Sequence, residues 1–251
     1  MTLRVLAVLL SSFFTYSFCT ASAAQEMVNN CSDWGIGLNS AAERIQGPSG
    51  AIRFGADAST SGGGIASFQL IRNMEFVGVA NGVPRAEIVF LKPRFKQGET
   101  YRISWSTFLP LDYVFDFKQE EIITQIHQET PQFGSPPFAI IVSAGEYKIN
   151  VLGSTNGRIL RASKSAGEVQ RGSWANWDLT YTPDSSGARS ITTLKLNGTS
   201  VAAFDGVSNA YQNDDSAYLK VGIYKWDWLK RPSDVDGRIL YVSNVCISKV
   251  S

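Results

Sequence analysis

Histidine is almost missing from this chain: His127 is the only one in 251 residues. Any imidazole chemistry therefore rests on that position. An excess of one charge is missing too, since 23 Lys and Arg offset 22 Asp and Glu to leave a net charge of +1. With no basic stripe and no recognisable motif, nucleic acid is not an expected partner. The apolar run Val5 to Phe14 is shorter than the ~20 residues a membrane-spanning helix needs, so no membrane partner is expected either. Paired carboxylates placed to flank a glycosidic bond are also lacking. Glu120 and Glu121 are adjacent and face opposite ways on a strand, which argues against a glycoside hydrolase. Asn213-Asp214-Asp215 lacks the full alternating ligand pattern of a calcium loop, and no metal or cofactor is expected. Gly62-Gly63-Gly64 has neither the spacing nor the strand–helix context of a nucleotide site.

What is present begins with a secretory pattern. Arg4 gives a positive start, Val5 to Phe14 an apolar stretch, and Ala21-Ser22-Ala23 a small-residue cleavage site, so residues 1–23 read as a signal peptide. Residues 24–251 then form a single soluble domain, expected to be a monomer outside the cytoplasm, either extracellular or periplasmic. Of the three cysteines, Cys19 leaves with the signal. Cys31 and Cys246 remain, and in an oxidising compartment their expected state is a disulfide. Asn30-Cys31-Ser32 and Asn197-Gly198-Thr199 match glycosylation sequons, which matter only in a host that glycosylates.

No long helical period stands out. Short alternating or apolar runs lie between clusters of Gly, Pro, Asn, Asp and Ser, the pattern of a sandwich or barrel. Expected strands are 51–54, 67–70, 85–90, 100–108, 121–128, 138–143, 147–152, 177–182, 191–196, 200–204, 217–224 and 240–247. Trp177–Thr182 and Ile191–Leu196 read as a hairpin, and Asn197-Gly198 adds a second tight turn.

Three of these strands carry chemistry on one face, because side chains alternate along a strand. In Tyr218–Tyr224, Leu219, Val221 and Ile223 form a core face. Tyr218, Lys220, Gly222 and Tyr224 form the other, where Gly222 leaves room for something to approach the backbone. In Glu121–Gln128, Ile122, Thr124 and Ile126 share one face, while Ile123, Gln125 and His127 share the other. In Pro84–Phe90, Arg85 and Glu87 oppose Ala86 and Ile88, and Glu87 is placed to hold Arg85 toward a carboxylate. If these strands share a sheet, their polar faces merge into one groove. Continuing the last strand puts Trp226 and Trp228 in phase with Tyr224, where they would stack on sugar rings. Lys225, Lys230 and Arg231 would attract a polyanion to the rim.

Tyr-x-Lys-x-Gly-x-Tyr at 218–224, Gln-Ile-His at 125–127 and Arg-x-Glu-Ile at 85–88 together resemble the signature set of jelly-roll polysaccharide lyases. That group includes heparin lyase I-like enzymes, glucuronan lyases and alginate lyases. The stretch from Gly172-Ser173-Trp174 through Asn197-Gly198 to Tyr224 is most similar to the heparin lyase I-like domain. The resemblance covers about residues 45–248. It implies a concanavalin A-like β-jelly-roll of two antiparallel sheets, and β-elimination on a uronate-containing, acidic polysaccharide. His127 and Tyr224 match the family's base and acid, Gln125 and Arg85 match the groups that neutralise the uronate carboxylate, and Lys220 matches the lysine before the catalytic tyrosine. Glu87, Tyr218, Trp226, Trp228 and Lys225 are the expected substrate-binding residues. Two departures bear on alginate as substrate. Lys225-Trp226-Asp227-Trp228 follows the second tyrosine in place of a polar residue and Gln, and Ala86 stands where a hydroxyl residue is common.

The chemistry suits these residues in its own right. Removing the weakly acidic C5 proton of a uronate builds negative charge on its carboxylate, which Arg85 and Gln125 would stabilise. Lys220 and Arg85 are expected to lower the Tyr224 pKa by stabilising the phenolate. Either His127 or Tyr224 then takes the C5 proton, and Tyr224 protonates the leaving oxygen. A non-catalytic, lectin-like carbohydrate-binding module on the same sandwich is the alternative, since fold alone does not settle function.

Overall fold

Residues that alternate apolar with polar must bury one face of each strand, and two such sheets stacked face to face satisfy them all. The computed structural model describes residues 29–55, 64–131 and 134–250; the expected signal segment and Gly62-Gly63 lie outside them. One sheet contains β1 (Asn29–Cys31), β3 (Ile52–Gly55), β4 (Ile65–Ile71), β6 (Thr100–Phe108), β11 (Trp174–Thr182), β12 (Ile191–Leu196), β13 (Thr199–Ala203) and β15 (Gly237–Val250). The other contains β2 (Glu43–Gln46), β5 (Arg85–Phe90), β7 (Glu121–His127), β8 (Phe138–Ser143), β9 (Glu146–Thr155), β10 (Arg158–Glu168) and β14 (Tyr218–Tyr224).

The first sheet runs β13-β12-β11-β6-β15-β4-β3 with β1 added alongside β15, and the second runs β10-β9-β8-β7-β14-β5-β2. The pairings are antiparallel throughout. This is the expected jelly-roll sandwich. The core between the sheets includes Trp105 stacked on Trp177 at 6.2 Å, with Tyr147 edge-on to Trp177 at 4.9 Å. Phe95 packs edge-on against Tyr101 and Tyr181.

The expected hairpins form as read. β11 pairs with β12 and β12 with β13, and Asn197 and Gly198 take φ of 50° and 81° in the turn between them. Cys31 lies opposite Cys246 in the β1–β15 register, and the two are disulfide-bonded with Cα atoms 4.0 Å apart. β10 is an addition to the expected strands. Its Arg-Ile-Leu-Arg-Ala-Ser-Lys-Ser-Ala-Gly-Glu sequence is mostly exposed. An edge strand that buries little needs no clean alternation, so the pattern offers no signal.

Candidate active site

β14 lies between β7 and β5, so the polar faces of the three chemistry-bearing strands do merge. The cross-strand register sets their rows. Tyr218 pairs with His127, Lys220 with Gln125 and Val89, Gly222 with Glu87, and Tyr224 with Arg85 and Ile122. Leu219, Val221 and Ile223 face the core, as the alternation requires.

Two local features depart from simple alternation. β7 carries a bulge: Ile122 and Thr124 pair with consecutive β8 residues, Ile141 and Ile140, which leaves Ile123 as the extra residue. Ile123 therefore packs in the core with Ile126 rather than sharing the outward face of Gln125 and His127. Ile122 turns outward with Ala139 and Ile141 instead. The second feature is Gly222, at φ 134°. A Cβ there would stand 2.2 Å from the Ala86 carbonyl oxygen and 2.9 Å from the Phe68 ring. The space beside this glycine belongs to the neighbouring strand and the core, not to an approaching ligand.

Glu87 is the hub of the buried part of the site. Its carboxylate accepts a short hydrogen bond from the Gln125 amide, and lies 3.6 Å from the Arg85 guanidinium and 3.8 Å from the Lys220 ammonium. All four side chains are buried. Lys220 also donates to Gln46 Oε1 at 3.0 Å. Two buried cations against one carboxylate leave an excess positive charge, which suits an incoming carboxylate. Arg85 packs over the Tyr224 ring at 4.2 Å, and so links the hub to the phenol.

His127 is partly exposed and stacks on Tyr218 at 5.5 Å. Its Nδ1 lies 2.6 Å from the Gln128 carbonyl oxygen. A carbonyl only accepts, so Nδ1 carries the hydrogen and Nε2 presents its lone pair. Burial, and then the positive charge of Lys220 and of Arg85, depress the His127 pKa to about 4. The ring is thus neutral near pH 7, in the form a base requires. Tyr224 moves the other way from the expectation. Burial raises its pKa and outweighs the lowering by Arg85, while Glu87 adds to the rise. The phenol therefore holds its proton, the form an acid requires. Burial also lowers the Lys220 pKa, against the pull of Glu87.

Beyond Tyr224 opens a cleft of about 720 Å³. Ile122, Ala139 and Ile141 line it, with Tyr224 and Trp226 beside them and Lys148, Asn150, Arg161 and Ser163 on β9 and β10. The Trp226 ring lies 6.0 Å from that of Tyr224. Lys148 and Asn150 were legible as outward positions of an expected strand. Arg161 and Ser163 were hidden because β10 gave no pattern.

Trp226 and Lys230 reach this cleft, but Lys225 and Trp228 do not. β14 ends at Tyr224 and the chain turns, with Trp228 N–H donating to the Lys225 carbonyl at 3.2 Å. Strand parity therefore lapses after Tyr224. Trp228 is fully buried, and its Nε1 donates to Ser233 Oγ and to the Val235 carbonyl. Lys225 is fully buried against Asp116 at 2.9 Å and Glu121 at 3.6 Å. Neither lines the groove, which corrects their expected substrate-binding role. Arg231 is exposed and lies 3.5 Å from Asp227. Glu121, one of the adjacent glutamates, is held by Arg238. Asp214 and Asp215 accept backbone N–H groups, from Glu129 and Ser216 and from Gln97 respectively, and so act as loop caps.

The fold has relatives among solved structures. The endo-β-1,4-glucuronan lyase of the fungus Trichoderma reesei aligns with a TM-score of 0.73 at 15% identity, covering 88% of this chain and 94% of that one. The family 7 alginate lyase A1-II', in complex with product, aligns with a TM-score of 0.58 at 14% identity, covering 83% and 95%. The binding domain of Paraclostridial Mosquitocidal Protein 1 aligns at 0.51 and 10% identity over 83% of this chain and 44% of that one, so the sandwich itself is not peculiar to lyases. No curated protein matches the sequence. The polysaccharide lyase family does match, over residues 34–246, a span that contains β5, β7 and β14 with the Glu87 hub, His127 and Tyr224, and the chain belongs to that family.

Proposed function

We propose that this polysaccharide lyase is exported, loses residues 1–23, and cleaves a uronate-containing polysaccharide by β-elimination to leave unsaturated oligosaccharides. The observation that carries this reading is the state of two groups on one polar face: a neutral His127 whose Nδ1–H faces the Gln128 carbonyl and leaves Nε2 its lone pair, and a protonated Tyr224 under the Arg85 guanidinium. The uronate carboxylate sits against Arg85, Lys220 and an N–H of Gln125, whose excess positive charge stabilises the charge that grows as C5 loses its proton. His127 Nε2 takes that proton. The C4–O bond breaks, the C4–C5 double bond forms, and Tyr224 gives its proton to the departing oxygen. Tyr218 supports the His127 ring, and Trp226 offers a face to a neighbouring sugar. The protein acts as a monomer, without a metal or cofactor.

The experiment is incubation of the mature protein with glucuronan, alginate and heparin-type polymers while ultraviolet absorbance follows the new double bond. Tyr224→Phe keeps the ring and its contact with Arg85 but removes the proton, so turnover falls by about 100- to 10,000-fold while polymer binding persists. Full turnover by Tyr224→Phe removes that residue from the mechanism. Binding without product from the unaltered protein, on every polymer, identifies a carbohydrate-binding module instead. Intact mass of the exported protein checks the loss of residues 1–23.

A further inference from the structure

Behind the cleft lies a buried charge network with no part in the proton transfers. Lys225 Nζ sits between Asp116 at 2.9 Å and Glu121 at 3.6 Å, and Arg238 holds both oxygens of Glu121. Arg238 also donates to the Val114 carbonyl at 2.7 Å and packs over the Tyr113 ring. Asp116 accepts backbone N–H groups from Lys118, Gln119 and Asp234, and the Ser233 hydroxyl. The charges balance: two cations, two carboxylates.

The network connects the segment before β7, the start of β7, the turn after β14 and the start of β15. Two members lie in direct sequence with the cleft: Glu121, between Glu120 and Ile122 on β7, and Lys225, the cation of the two, between Tyr224 and Trp226. Those two half-buried neighbours line the cleft while Lys225 is fully buried. The Lys225 N–H donates to the Pro84 carbonyl at 3.1 Å, next to Arg85. A well-packed apolar side chain would fill this space with equal or better stability, since desolvation offsets much of what buried ion pairs gain. Two carboxylates on different elements do something an apolar contact does not: they attract the ammonium from two sides and hold it between them.

We propose that Lys225 is a positioning residue, whose buried pairing with Asp116 and Glu121 fixes the turn that sets the Tyr224 phenol and the Trp226 indole in the cleft. The proposal rests on the reading of Tyr224 as the acid for its kinetic consequence, but not for its geometric one. Lys225→Met keeps an unbranched stem one heavy atom shorter and removes the charge. Its kcat on a polyuronate that the unaltered protein cleaves is expected to fall on the order of 100-fold, the effect of about an ångström of misplacement, with a smaller change in KM. Acrylamide quenching of Trp226 fluorescence, isolated by difference from Trp226→Phe, is expected to increase in the same variant without any substrate. The pair Asp116→Asn with Lys225→Met removes one charge of each sign and serves if the single variant does not fold. A folded variant with unchanged kcat and unchanged quenching overturns the proposal. Failure of both variants to fold also overturns it, because Lys225 would then be a requirement of the fold rather than of the cleft. If the unaltered protein yields no product on any polyuronate, the proposed function fails, while the quenching comparison still decides the role of Lys225.

Discussion

Glu87→Gln tests the hub directly. The amide keeps the shape and its oxygen can still accept from Gln125, so the change removes the charge and turns an NH2 group toward Arg85 and Lys220. Glu87 faces Arg85 at 3.6 Å and Lys220 at 3.8 Å. At an effective dielectric near 20, each attraction is about 4–5 kcal/mol before desolvation is counted. Desolvation offsets much of this, and breaking a buried ion pair by removing one partner costs about 3–5 kcal/mol. For a domain of this size that lowers Tm by roughly 6–20 °C, measured by calorimetry. A second effect separates the hub from a general loss of packing. Arg85 and Lys220 would be left as adjacent cations, and the carboxylate of a bound uronate supplies the missing charge. In a Tyr224→Phe background, where the polymer is not consumed, added polyuronate is expected to raise the Tm of the Glu87→Gln protein more than that of the Glu87 protein. A Tm unchanged within about 2 °C, or an equal rise with polymer, refutes the reasoning.

Four further expectations follow from particular contacts. Because the His127 pKa is depressed to about 4 by burial and nearby cations, kcat/KM holds as pH falls past 6 and drops near pH 4; an acid limb centred near 6.5 rules out that environment. The unfolded chain binds this proton more readily, so stability is full above about pH 6.5 and declines toward pH 4, seen in urea melts across that range. Gly222→Ala places a methyl group 2.2 Å from the Ala86 carbonyl oxygen at φ 134°; a loss of at least ~3 kcal/mol is expected, and a stable, active Gly222→Ala protein disproves the close approach. Replacing Cys31 and Cys246 together by Ala opens a loop spanning 215 residues, expected to lower stability by up to about 5 kcal/mol in the chain-entropy model; an unchanged thermal midpoint contradicts it.

The order of residues dictated which side chains could face a common groove, because alternation along a strand is local and nearly independent of what packs against it. Arg85 with Glu87, Gln125 with His127, and Lys220 with Tyr224 share the outward face as the period of two requires. It also determined the β11–β12–β13 hairpins, whose Asn197-Gly198 turn chemistry lies within a few residues. Strand order was beyond it, since neighbours in a sheet are far apart in sequence, and only the tertiary structure puts β14 between β7 and β5. The same holds wherever contacts overrule the period. The bulge at Ile123 is set by pairing with β8, the turn after Tyr224 buries Lys225 between Asp116 and Glu121, and the edge position of β10 removes any need for an apolar face. The Tyr224 pKa belongs to this second class. Its neighbouring cation was legible and argued for a lowered value, but burial acts through every surrounding atom, and that sum exists only once the chain has folded.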